Sequence, residues 1–162
     1  MNVLVCAASK HGSTAEIATR IADRLTAAGL HVDVREPSEV AGVECYDAVV
    51  LGSAVYAGGW LAPAKTLVER YADQLAEQPV WLFSSGPVGD PLVPEGEPPA
   101  VADLAAGVRA RDHKVLAGKL DKSHLGLAER MIVKAMRVPE GDFRDWDAID
   151  TWADGIAHTL SR

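Results

Sequence analysis

In the stretch VLVCAASKHGSTAEIA (Val3–Ala18) a continuous apolar run gives way to small, hydroxylic and glycine residues, and then to a helical pattern. Apolar runs without alternation mark strands covered on both faces. Ile17, Ile21 and Leu25, with Ala18 and Ala22, set one apolar stripe at helical spacing, and Gly29 is the expected stop. A strand, a hydroxyl-rich turn and a helix N-terminus in succession prepare a place for an anion. First-turn N–H groups point at it and the helix dipole favours negative charge there.

The same alternation of strand and helix continues outward. YDAVVLGSA (from Tyr46) and PVWLFSS (from Pro79) are again nearly continuous apolar runs, HVDVRE (from His31) alternates as an edge strand does, and HKVLAGKL (from His113) reads as a fifth strand. Leu61 to Leu75 has helical periodicity. Asp142 reads as the N-cap of a last helix with Trp146, Ile149, Trp152, Ala153, Ile156, Ala157 and Leu160 on its inner face. Strands alternating with helices predict a parallel sheet with right-handed crossovers. The expected fold is α/β: a flavodoxin-like three-layer sandwich, five parallel strands in the order 2-1-3-4-5 with helices on both faces, in a single domain over residues 1–162. SGPVGDPLVPEGEPPAVADLA (Ser85–Ala105), rich in proline, glycine and acid, is expected to be a long surface loop.

Composition narrows the function. A net charge of −7 argues against a general nucleic-acid binder. The charge is uneven: from Arg109 to Arg137 eight Lys/Arg face three Asp/Glu, a local +5 that leaves −12 for the remainder. Cys6 and Cys45 match no metal-ligand spacing and read as structural thiols of a reducing compartment. No run approaches the ~20 apolar residues of a membrane span, and no secretory signal is visible, so a cytoplasmic location is expected.

Which anion the first turn receives follows partly by elimination. A Walker phosphate loop and a Gly-x-Gly-x-x-Gly fingerprint are absent. A cysteine phosphatase would need arginine six residues after Cys6, where Gly12 stands. A response-regulator receiver would need acids where Gly52-Ser53 and Ala7-Ala8-Ser9 stand. What remains is Ser9-x-x-Gly12-Ser13-Thr14: hydroxyl donors, and a glycine that lets the backbone approach closely. Such a turn can also simply cap a helix. In a 2-1-3-4-5 sheet, however, it converges with GSAVYAGGW (from Gly52) and SSGPVGD (from Ser84). Tyr56 and Trp60 bring aromatic surface, and Gly58-Gly59 the freedom to wrap a flat ring, although Trp60 could equally pack at the start of the following helix. A single phosphate cradle beside aromatic, glycine-rich loops fits FMN.

SKHGST, VVLGSAVYAGGW and the tail (HKVLAGKL, ERMIVKAM, GDFRDWDAIDTWADGIA) resemble the flavodoxins, and more closely the menaquinone-dependent protoporphyrinogen dehydrogenases of that fold, over nearly the whole chain. The resemblance implies that Ser9, Lys10, His11, Gly12, Ser13 and Thr14 hold the FMN phosphate. It implies that Ser53, Ala54, Val55, Tyr56, Ala57 and Gly58 line one side of the ring, and Ser84, Ser85, Gly86, Pro87, Val88 and Gly89 the other. The loop from Gly86 to Ala100 is acidic where those enzymes tend to be basic. No side-chain set for acid–base catalysis is apparent, so no catalytic residue is assigned. Two functions are expected to compete: an oxidoreductase passing electrons to a quinone or another small redox partner, with protoporphyrinogen as a candidate substrate, and an electron carrier docking redox proteins through its acidic surface.

In the tail, SHLGLAERMIVKAMR (Ser123–Arg137) puts Leu125, Ala128, Met131, Ile132, Ala135 and Met136 on one helical stripe, with Arg130, Lys134 and Arg137 on a neighbouring face. One reading packs the stripe on the sheet beneath a solvated basic face. The other leaves it bordering the flavin edge, with loose attraction to an anionic membrane.

Overall fold

The computed structural model describes residues 1–56, 58–87, 96, 98–135, 137 and 139–162. Its strands are β1 (Asn2–Ala8), β2 (His31–Arg35), β3 (Ala48–Tyr56), β4 (Gly59–Trp60), β5 (Val80–Ser85), β6 (Asp112–Leu116), β7 (Lys119–Leu120) and β8 (Gly141–Asp142). The helices are α1 (Ser13–Ala27), α2 (Ala62–Arg70), α3 (Ala72–Ala76), α4 (Pro99–Gly107), α5 (Leu127–Ala135) and α6 (Trp146–Leu160). The parallel strands lie in the order β2-β1-β3-β5-β6, which is 2-1-3-4-5 counted along the chain. Strand β4 returns antiparallel on β3, and β7 pairs with β8 in a separate ribbon.

Alternate residues of each central strand feed two cores. Val3, Val5, Val50, Trp81 and Phe83 face α1 and α6, meeting Ile17, Ile21, Leu25, Ile149, Ala153 and Ile156. Leu4, Cys6, Val49, Leu51, Val80 and Leu82 face the other way, onto Trp60, Leu67, Leu75, Val101 and Val108. Strand β2, expected at an edge, is one, and its residues are largely exposed. Two arginine forks staple α1 to α6: Arg20 to Asp150 and Arg24 to Asp154, each through two nitrogens.

Five local expectations need correction. The fifth strand stops at Leu116; Lys119–Leu120 turns away to pair with Gly141–Asp142. The helix expected from Leu61 to Leu75 is two helices, because Tyr71 leaves helical geometry at φ −115°. Within the expected surface loop, Pro99–Gly107 is helix α4, which buries Val101. A proline costs nothing at a helix start, where its missing N–H has no partner to lose. The last helix is capped by Asp145, whose carboxylate accepts from Ala148 N at 3.0 Å, and not by Asp142. Asp142 lies in β8 and binds Arg144. Finally, the stripe of α5 does not pack on the sheet, as no residue of this helix is buried. Leu125, just before it, is buried, and Met136 lies outside the described residues.

Candidate functional site

Register brings the expected loops together. Ala8 of β1 lies beside Ser53 of β3, which lies beside Ser84 of β5. The turn from Ser9, the chain beyond Tyr56 and the chain from Gly86 therefore leave one edge of the sheet, at the carboxyl ends of its strands.

The first turn has the geometry an anion would need. Gly12 stands at the helix start with φ 89°, a conformation only glycine adopts cheaply, and an added Cβ there would meet nothing within 4 Å. The position is open, so the requirement is conformational. Gly12 N donates to Ser9 Oγ at 3.0 Å, which leaves the serine's own hydroxyl hydrogen free to donate. No side chain caps α1. Ser13 Oγ is buried and has no hydrogen-bond partner among the described residues. Burying a hydroxyl without a partner costs about 1–3 kcal/mol, so its natural complement is an acceptor arriving at the helix start. A phosphate has the charge and the oxygens for this place, and the residues fit it.

Lys10 and His11 point elsewhere. Lys10 Nζ lies 2.7 Å from Glu129 Oε1, and His11 Nε2 lies 2.9 Å from Glu129 Oε2. A carboxylate only accepts, so His11 carries its proton on Nε2 in this contact. The ammonium of Lys10, drawn to Glu129, holds that carboxyl below its usual range, and His11 acts in the same sense. Lys10 also stands 5.1 Å from the centre of the Tyr56 ring, a cation–π distance. Lys10 thus faces the end of β3, at Tyr56. The phenol of Tyr56 is raised above its ordinary value, chiefly by desolvation and then by Glu129.

Among the residues expected to line a ring, Tyr56 is 39% exposed. Gly58 turns at φ 78°. Ala54, Val55 and Gly86 are half-buried and Pro87 is buried. Ala57, Val88 and Gly89 lie outside the described residues. Trp60 is only 3% exposed and packs into the core beside Leu67 and Leu82, as the packing alternative had it. Its Nε1 donates to Ser84 Oγ at 2.8 Å, and that oxygen lies 2.7 Å from His113 Nε2. Ser53 Oγ is also internal, donating to Ala54 O and accepting from Leu61 N. Ser53, Ser84 and Trp60 therefore brace the loops from beneath, and Ser85 is buried with them.

Two residues at the site escaped sequence reading. Glu129 is the one acid between Asp121 and Glu140, and its isolation on a basic helix was the available signal. Arg144, with its side chain 5% exposed, forks onto Asp142 and reaches Glu16 in the first turn of α1. Its guanidinium stands 4.7 Å from the centre of the Trp146 ring and donates to Ser13 O. The tail is thereby fixed to the start of α1. A cleft of about 670 Å³ lies between β6 and α6, lined by Trp81, Asp112, Asp145 and Trp152 among others.

The flavodoxin-domain model matches residues 4–147, which include all three converging loops. The chain belongs to the flavodoxin-domain family. Among curated relatives, it is 25% identical over 179 aligned positions to protoporphyrinogen IX dehydrogenase [quinone] of Escherichia coli strain K12, covering 100% of this chain and 98% of that one. Solved flavodoxins share the fold. An archaeal flavodoxin superimposes with TM-score 0.66 at 16% identity, each chain fully covered. The Streptococcus pneumonia TIGR4 flavodoxin gives 0.65 at 20% identity, covering 98% of this chain and 99% of that one. The rubredoxin oxygen:oxidoreductase of Desulfovibrio gigas gives 0.66 at 15% identity, with 99% of this flavodoxin-domain chain matching 36% of that larger protein. The flavodoxin-domain chain has, among the described residues, no helix long and apolar enough to cross a membrane.

Proposed function

We propose that this flavodoxin-domain protein binds FMN and works as an oxidoreductase that passes electrons from a reduced substrate to a quinone-type acceptor. The observation that carries the cofactor is the unpartnered, buried Ser13 hydroxyl at the uncapped start of α1. It calls for a phosphate, and the dinucleotide fingerprint that would extend the ligand is absent. Ser9, Gly12, Ser13 and Thr14 hold the phosphate through hydroxyls and backbone N–H groups. Tyr56 and Gly58 border the ring on one side and Gly86 and Pro87 on the other. Lys10, steadied by Glu129 over Tyr56, supplies positive charge at the ring side of the site. When bound, the flavin supplies the redox chemistry; the protein supplies position and electrostatics.

The quinone-linked reading is supported by the relation to the Escherichia coli dehydrogenase, which runs through the tail as well as the three loops. Protoporphyrinogen is the first substrate to try. A second reading, an electron carrier docking redox proteins, is favoured by the net charge of −7. Steady-state assay of the flavin-loaded protein with protoporphyrinogen and a soluble menaquinone analogue separates them. The enzyme reading predicts repeated turnovers with both substrates present. Reduction that stops at one flavin equivalent contradicts it and leaves the carrier.

A further inference from the structure

Helix α5 presents an apolar face to solvent. Leu127, Met131 and Ile132 are 79%, 66% and 58% exposed, half of the large exposed hydrophobic side chains among the described residues. At 100° per residue, Leu127, Ala128, Met131, Ile132 and Ala135 occupy one arc of roughly 140°. Glu129 projects off the arc, about 60° beyond Ile132, where it holds Lys10 and His11 of the first turn. The anchor therefore faces the body of the protein and the apolar arc faces outward. Lys134 borders the arc about 20° beyond Leu127, and Arg130 stands about 60° beyond it on the same side. Arg130 is steadied by Nε donating to Lys122 O at 3.0 Å. The only acid of the helix is turned inward, so nothing negative interrupts the outward face.

We propose that this face of α5 docks on an anionic lipid surface. Nine residues are far too few to cross a bilayer, so the helix lies in the interface with its apolar side chains among the acyl chains and its cations among the headgroups. A bilayer accepts a convex apolar helix anywhere along its surface, whereas a protein partner must offer a matching groove. A second copy is disfavoured. An isologous pair across this face would bring Arg130 and Lys134 of both chains together, and three side chains fall well short of the roughly 800 Å² per partner of a stable interface. The charge asymmetry selects anionic over neutral lipid: the segment from Arg109 to Arg137, which contains α5, is +5 while the rest of the chain is −12. Because Glu129 ties α5 to the first turn, docking sets the candidate cofactor site beside the headgroups. The inference is independent of the redox reading.

Co-sedimentation with vesicles tests it without any quinone. The full-length protein is expected to bind phosphatidylcholine–phosphatidylglycerol vesicles and not phosphatidylcholine alone, and added salt should weaken the binding. The charge variant R130E/K134E and the apolar variant L127S/M131S/I132S should each lower vesicle partitioning by about tenfold or more, with thermal stability unchanged since these side chains are exposed. Absence of binding by the wild type, equal binding to neutral vesicles, or undiminished binding by either variant overturns the proposal. So does a dimer in light scattering that the apolar variant dissolves.

Discussion

The Ser13 hydroxyl is buried without a partner, a condition that costs free energy in the absence of ligand and is relieved by one. Ser13→Ala should therefore have opposite effects on two measurements. FMN affinity falls by about 1.5–3 kcal/mol, the worth of a hydrogen bond to a charged group, while the melting temperature without flavin stays level or rises. A drop in both would mean that the hydroxyl has a structural partner. The thiols offer a second check. Burial, aided by Glu36 and Glu39, pushes the Cys6 thiol up to about 12, while Cys45 is exposed. Only the thiolate is the nucleophile, so a maleimide at neutral pH should modify one cysteine per native chain, at Cys45, and two after unfolding. Peptide mapping reads the outcome. Ala8 and Tyr56 end strands whose apolar runs were plain in the sequence, and so the convergence of the loops was legible. The inward turn of Trp60 was not, because an aromatic beside glycines reads alike whether it faces a ligand or the core.

Between secondary-structure elements, fit is decided by contacts that periodicity does not report. Gly52 sits in the middle of β3 directly under the Phe83 ring, which would overlap any Cβ there. Phe83 is itself fixed edge-on against Trp152, with ring centres 6.1 Å apart. Gly52→Ala should destabilise the fold by about 1–3 kcal/mol, the usual range for overpacking; chemical denaturation measures it, and an unchanged midpoint would show that Phe83 has room to move. Helix α5 depends on a different kind of contact. Glu129, held below its ordinary value of 4.5 by Lys10 and His11, favours the docked helix in full above that value. The contribution disappears as pH falls through the depressed value. Limited proteolysis near Arg130 and Lys134 at neutral pH should accelerate in Glu129→Gln, and the wild type should match the variant only once Glu129 is protonated in acid. Equal cleavage at neutral pH would remove Glu129 as the anchor. The amphipathic pattern of α5 was visible in the sequence, but a stripe does not say what covers it. The split of the second helix at Tyr71 and the turn after Leu116 were likewise invisible, being set by tertiary packing and by the ribbon with β8.

For the molecule as a whole, continuous apolar strands and amphipathic helices specified the sheet order, and the sheet order alone brings three loops to one edge. That is why the fold and the convergence of the loops could be read together, while the substrate, which depends on loop surfaces and partners, could not. The central claim is that this edge holds FMN by its phosphate. Titrating the flavin-free protein with FMN and with riboflavin, followed by flavin fluorescence, isolates the phosphate contribution. With several donors to a charged group, each worth about 1.5–3 kcal/mol, FMN should bind at least about a hundredfold more tightly than riboflavin. Equal affinities for the two flavins would contradict the account.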